Sequence, residues 1–103
     1  KGNFFDLMYA NKDGGINLDQ HYVFLRSYED DVVLVIANFS DQAHTIAINL
    51  PQHAFDYLEL TQQHQCEAID LLTNETETIC ISPNQPIKTH IFPLGGKLLK
   101  FKR

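Results

Sequence analysis

Thirteen Asp and Glu residues, five histidines and two cysteines are the groups of this 103-residue sequence that could carry chemistry, and their spacing limits what they can do. Glu29-Asp30-Asp31 is the densest acidic cluster. It has the charge for a weak calcium contact but lacks the alternating ligands of a dedicated calcium loop, so a solvated turn is expected. Most other carboxylates fall in turns or in the irregular middle of the chain. The histidines, at 21, 44, 53, 64 and 90, form no i,i+4 pair, and neither CxxC nor HExxH accompanies them, which argues against zinc. Ser27, Ser40 and Ser82 lack the flanking glycines of a nucleophile elbow, and neither Cys66 nor Cys80 opens a recognisable helix that would lower its pKa. Gly14-Gly15 and Gly95-Gly96 are isolated pairs, too short to cradle phosphate. No catalytic, metal or cofactor-binding residue is expected.

The elements that would position these groups are strands. No segment of twelve or more residues sustains apolar recurrence at three and four, while short β-rich runs recur between turn residues. Strands are expected at Phe4–Tyr9, His21–Tyr28, Val32–Phe39, Ala43–Leu50, Glu67–Leu72, Glu77–Ser82, Ile87–Phe92 and Lys97–Lys102. The fold class is therefore all-β, an antiparallel two-sheet sandwich of about eight strands and Greek-key type. Turn chemistry agrees: Asn11-Lys12-Asp13-Gly14-Gly15, Glu29-Asp30-Asp31, Ser40-Asp41-Gln42 and Thr73-Asn74-Glu75-Thr76 separate the runs, and Pro51, Pro83, Pro86 and Pro93 stand at strand ends. Ala54, Phe55 and Leu58 sit at helical spacing, so a helical turn or irregular crossover is expected between Gln52 and Gln65, with a further short strand as the alternative. A hairpin turning near Asn74 would set Cys66 against residue 83 and Cys80 against residue 69, too far apart for a disulfide. Free thiols leave the compartment open between cytoplasm and periplasm.

Residues 1–103 suit a single domain, and a chain of this size buries a little over ~60% of its unfolded surface. A net charge of -5 gives no electrostatic footprint for nucleic acid, and no apolar run approaches the ~20 residues that span a bilayer. The opening Lys1-Gly2-Asn3 has neither an initiator Met nor a signal-peptide h-region and reads as a cut from a longer chain.

Two strands break the usual inward-outward alternation of a sandwich. Val32, Leu34, Ile36 and Asn38 share one face of the third strand, yet Val33, Val35, Ala37 and Phe39 on the other are as apolar. The first strand is similar, with Phe5, Leu7 and Tyr9 on one side and Phe4, Asp6 and Met8 on the other. Either a loop such as Gln52–Gln65 covers the second face, or it packs on a domain outside these 103 residues.

Tyr22-Val23-Phe24-Leu25-Arg26, followed after an acidic turn by Val33-Leu34-Val35-Ile36-Ala37-Asn38-Phe39-Ser40, resembles the "FLR … NFS" signature of domain C in the α-amylase superfamily. Ala43–Pro51 resembles the next strand, ending in Leu-Pro, and Asp70-Leu71-Leu72-Thr73 the strand-and-turn written "LLTG". Lys97–Lys102 is similar to the closing strand, and Gly2–Tyr9 to the way some bacterial members enter the domain. Asn74 stands where glycine is common, and Asn also tolerates the left-handed conformation.

The resemblance implies an accessory domain with no active site, because hydrolysis in that family uses carboxylates on the loops of a (β/α)8 barrel of ~250 residues. It implies that the barrel of the same chain is the partner, with α-glucan as substrate of the parent enzyme. Phe4, Met8, Phe24, Arg26, Val33 and Val35 are the candidate interdomain contacts. Arg26 is expected to pair with an acid or a carbonyl, and Asn38 to bond neighbouring backbone. Binding of α-glucan by the domain itself is the rival reading; without Trp it would stack sugar on Tyr9, Tyr22, Tyr28 or Tyr57. An immunoglobulin-like protein-interaction domain is the third.

Overall fold

Alternating burial along β2 (His21–Tyr28) and β3 (Asp31–Asn38) sets the architecture: Val23, Leu25, Val32, Leu34 and Ile36 point into one core, and Tyr22, Phe24, Arg26, Val33 and Val35 point away from it. The computed structural model describes residues 3–8, 11 and 20–102. Around these two strands it places β1 (Asn3–Asp6), β4 (His44–Ile48), α1 (Gln52–Leu58), β5 (Gln63–Asp70), β6 (Thr76–Ile81), β7 (Ile87–Ile91) and β8 (Gly96–Lys102). Among the described residues the strands form a six-stranded sheet in the order β1-β2-β3-β8-β5-β6 and a two-stranded sheet of β4 and β7. Every strand pairing among the described residues is antiparallel. β5, β6 and β7 run in succession, β7 crosses to the smaller sheet, and β8 returns beside β5, the Greek-key arrangement.

The inner face of the large sheet packs on Ile46, Ile48, Ile87 and Ile91 of the small one, and α1 closes the side with Ala54, Phe55 and Leu58. Helical spacing over residues 54–58 thus gave a helix of seven residues, longer than the expected turn or crossover, which ends where Glu59 takes a left-handed φ of 57° and its N–H reaches the Phe55 carbonyl. This segment fills the inner core and does not cover the outer face of β3. Gly96 is required where β8 meets β3, because a Cβ there would collide with the Ile36 carbonyl oxygen.

Some boundaries differ from expectation. β1 ends at Asp6 rather than Tyr9 because the Asp6 Oδ1 accepts the Met8 N–H at 2.8 Å and turns the chain. β5 spans Gln63–Asp70 rather than Glu67–Leu72. Asp70 ends it, its Oδ1 accepting the Leu72 N–H at 3.0 Å, while a bulge between Gln63 and Cys66 prolongs the other end. The turn to β6 therefore covers residues 71–75, and the register is Cys66 against Ile79 and Ile69 against Thr76. The two cysteines are free thiols, but for a different reason than the expected three-residue offset: Cys66 faces the core and Cys80 alternates to the other face. Burial pushes the Cys66 thiol pKa up. Asn74 takes φ 64° in that turn, the left-handed role anticipated for it.

Candidate interdomain face

The outer face of the large sheet carries the residues singled out from the sequence. The β1–β2 register sets Phe4 opposite Arg26 and Asp6 opposite Phe24. The β2–β3 register then sets Tyr22 against Ala37, Phe24 against Val35 and Arg26 against Val33. β8 extends the same face with Leu98 beside Val35 and Lys100 beside Val33, and β5 adds Ile69 beside Lys100. Five of the six candidate contacts, Phe4, Phe24, Arg26, Val33 and Val35, are brought together here. Met8 is not: past the end of β1 it packs against the core, and its Sδ accepts the Val23 N–H at 3.3 Å.

The face is polarised along its strands. At the Tyr22 end it is apolar: the Phe24 ring lies 4.9 Å from Phe4 and 5.2 Å from Tyr22, centroid to centroid, and Ala37 and Leu98 continue the band. Phe39, 67% exposed, and Leu94, 71% exposed, stand at that end on turns tied together by Asn38. The Asn38 amide donates to the carbonyls of Phe92 (2.8 Å) and Gln42 (3.1 Å), and its oxygen accepts the Ser40 N–H at 3.1 Å. The expected backbone-bonding role of Asn38 is thus observed, and it reaches a loop 54 residues away.

At the opposite end the face is charged. Asp31 pairs with Lys102 at 2.5 Å and with Lys100 at 3.8 Å. The Lys102 hydrogen bond holds the Asp31 carboxyl below its ordinary value, and the same bond raises the Lys102 ammonium. Arg26 lies between the halves and makes no ion pair among the described residues, so the acid alternative of its expected pairing is not met.

The four candidate tyrosines do not form one platform. Tyr9 lies outside the described residues. Tyr22 and Tyr28 share the outer face but sit six residues apart on β2, ~20 Å at strand rise. Tyr57 projects from α1, beside Phe5. Glu29 and Asp30 form the β2–β3 turn, and no group of three or more potential metal ligands is found among the described residues.

Sequence reasoning missed a polar cluster on the inner face. Lys97 Nζ lies 2.6 Å from Glu77 Oε1 and 2.6 Å from Thr89 Oγ1, and Thr89 donates to Glu77 Oε2 at 2.8 Å. It joins β8 and β6 of the large sheet to β7 of the small one. No spacing in the sequence announces it, because the three residues meet only through the Greek-key crossing.

The profile of the family described as "Maltogenic Amylase, C-terminal domain" matches residues 16–79. Among solved structures, the fold is similar to part of an Anoxybacillus α-amylase, with TM-score 0.63 and 15% identity over 99% of this chain. It is also similar to part of AmyP, solved in complex with maltose, with TM-score 0.60 and 14% identity over 97% of this chain. The chain spans 18% and 16% of those two proteins. A search of curated proteins finds no sequence match.

Proposed function

Because the chain belongs to the maltogenic amylase C-terminal domain family, the non-catalytic accessory domains of α-amylases, we propose that its outer sheet face docks on the catalytic barrel of the chain that carries it. One observation carries this reading: the inner face of β3 is fully packed within the domain, while an equally apolar outer face has no covering element among the described residues. Monomers rarely leave such a patch to solvent. The apolar half, around Phe24, Tyr22 and Val35, forms the centre of the contact, and Arg26 and the Asp31–Lys102 end form its rim. An interdomain surface of this kind covers about 600–1,500 Å². The domain would thereby stabilise the barrel of an enzyme acting on α-glucans, and it would contribute no group to the reaction.

Thiol accessibility in the full-length chain tests the docking. On a Cys80→Ser background, Val35→Cys is expected to be alkylated at least about tenfold more slowly than Lys88→Cys, which sits on the exposed side of β7. Equal rates would mean that the outer face is open to water, and the docking reading would fail. The immunoglobulin-like reading is set aside by the family match.

A further inference from the structure

Among the described residues Glu29, Glu59, Asn74 and Leu94 take a positive φ without being glycine. The first three are polar and exposed, two in hairpin turns and one at the end of α1, where a solvated side chain accompanies the left-handed backbone. Leu94 is different. It stands third in the turn Phe92-Pro93-Leu94-Gly95, which the Gly95 N–H closes on the Phe92 carbonyl at 3.2 Å, and its φ is 49°. Proline second and a positive φ third is the type II arrangement, whose third position favours Gly or Asn because a Cβ there crowds the following carbonyl. The chain has a glycine one place later, at 95, where φ is not positive. A leucine therefore holds a conformation that costs it stability.

No packing inside the domain offsets that cost, since Leu94 lies outside the core and is the most exposed large apolar side chain among the described residues. Backbone bonds hold the turn instead. The Leu94 N–H donates to the Ser40 carbonyl at 2.8 Å and the Asn38 N–H to the Gly95 carbonyl at 2.7 Å, which fixes the turn beside the loop that carries Phe39. Strain kept at an exposed apolar residue points to a side chain held in place for a partner. We propose that Leu94 is an anchor of the docking interface, preset by its turn to enter an apolar pocket on the barrel of the chain that carries the domain. The proposal rests on the docking of the outer face, whose apolar end this turn continues. The barrel is the occupant because of that continuity, and because the chain spans only 18% and 16% of the two solved proteins that share its fold, which leaves most of each as further surface for such a domain to meet.

Residue-resolved alkylation of the full-length chain tests it. Leu94→Gly removes the strain and the anchor together, so its effects on the domain and on the docking have opposite signs. Alkylation of Val35→Cys is expected to rise about tenfold, the loss of one buried leucine from the contact. The buried Cys66 thiol, which reacts only when the domain opens, is expected to react no faster. Leu94→Asn, also suited to the left-handed region, should match the glycine variant, and Leu94→Met, which keeps an apolar side chain, should stay within about threefold of the parent. An unchanged Val35→Cys rate in Leu94→Gly overturns the proposal. A joint rise at residues 35 and 66 overturns it too, because Leu94 would then serve only the domain's own fold. Protection of Val35→Cys that fades on dilution would place a second copy over the turn, with the same result. Failure of the docking reading is seen separately, with Leu94 intact, as equal rates for Val35→Cys and Lys88→Cys, and it would remove this proposal as well.

Discussion

On β3, Val32, Leu34 and Ile36 point inward and Val33, Val35 and Ala37 point outward, and the two sets differ little in size or polarity. The inward set is at most 2% exposed, whereas the outward set is only half-buried. What separates them is the layer above: β4, β7 and α1 cover one face, and no described element covers the other. Hydrophobicity shows that a face is meant to be covered, and topology decides whether the domain does the covering itself. The ion pairs repeat the contrast. Lys97–Glu77 on the inner face is largely shielded and shares a hydroxyl, and Asp31–Lys102 on the outer face is solvated.

The sharpest test of this contrast is a pair of truncations. Leu34→Ala is expected to lower stability by about 3 kcal/mol, because it leaves a cavity in a closed core. Val35→Ala, one residue away, is expected to cost under about 1 kcal/mol in the same chain lacking its barrel, since that side chain is only partly buried and its loss leaves no closed cavity. Urea unfolding midpoints measure both. Equal losses would show that the outer face is as closed as the inner.

The ion pairs give the next effect. Glu77→Ala strands the Lys97 ammonium and the Thr89 hydroxyl on the inner face, and it is expected to cost about 2 kcal/mol, less than a fully buried pair because Glu77 keeps some solvent access. Thermal unfolding at neutral pH measures it. A loss no larger than that of Asp31→Asn would erase the distinction between the two faces.

The smallest effect is the pH dependence of Asp31–Lys102. The folded carboxyl titrates below its ordinary 3.8 and the folded ammonium above its ordinary 10.5. The stabilisation by Asp31 is therefore present above the unfolded carboxyl value and is lost as pH falls through the lowered one. That of Lys102 is present below the unfolded ammonium value and is lost as pH rises through the raised one. The difference in unfolding temperature between the parent chain and Asp31→Asn should form a low plateau across neutral pH that vanishes at both extremes. Both side chains are exposed, so added salt should flatten the plateau.

Much of the fold was legible in the sequence where a pattern is local. The β-rich runs on either side of the Glu29-Asp30-Asp31 turn marked β2 and β3, an amide among aliphatics marked Asn38 as a tie to backbone, and Asn74 stood where a left-handed residue is needed. Legibility failed where one polar group redirects the chain. The carboxylates of Asp6 and Asp70 each end a strand that hydrophobicity would have continued, which moved Met8 off the outer face and displaced the Cys66 register. It failed again for Lys97–Glu77–Thr89. Those groups are assembled by separate strands of two sheets, and no spacing rule connects them.

The place of β8 has a consequence for how the domain comes into being. The strand formed by residues 96–102 lies in the interior of the large sheet, between β3 and β5. During synthesis β1, β2 and β3 can assemble as one meander and β5 and β6 as another, but among the described residues no strand pairs the two until β8 has emerged. Long-range pairing of this kind is slow to form. The nascent domain therefore waits, with the edges of β3 and β5 open, until its final strand has left the ribosome and can insert between them.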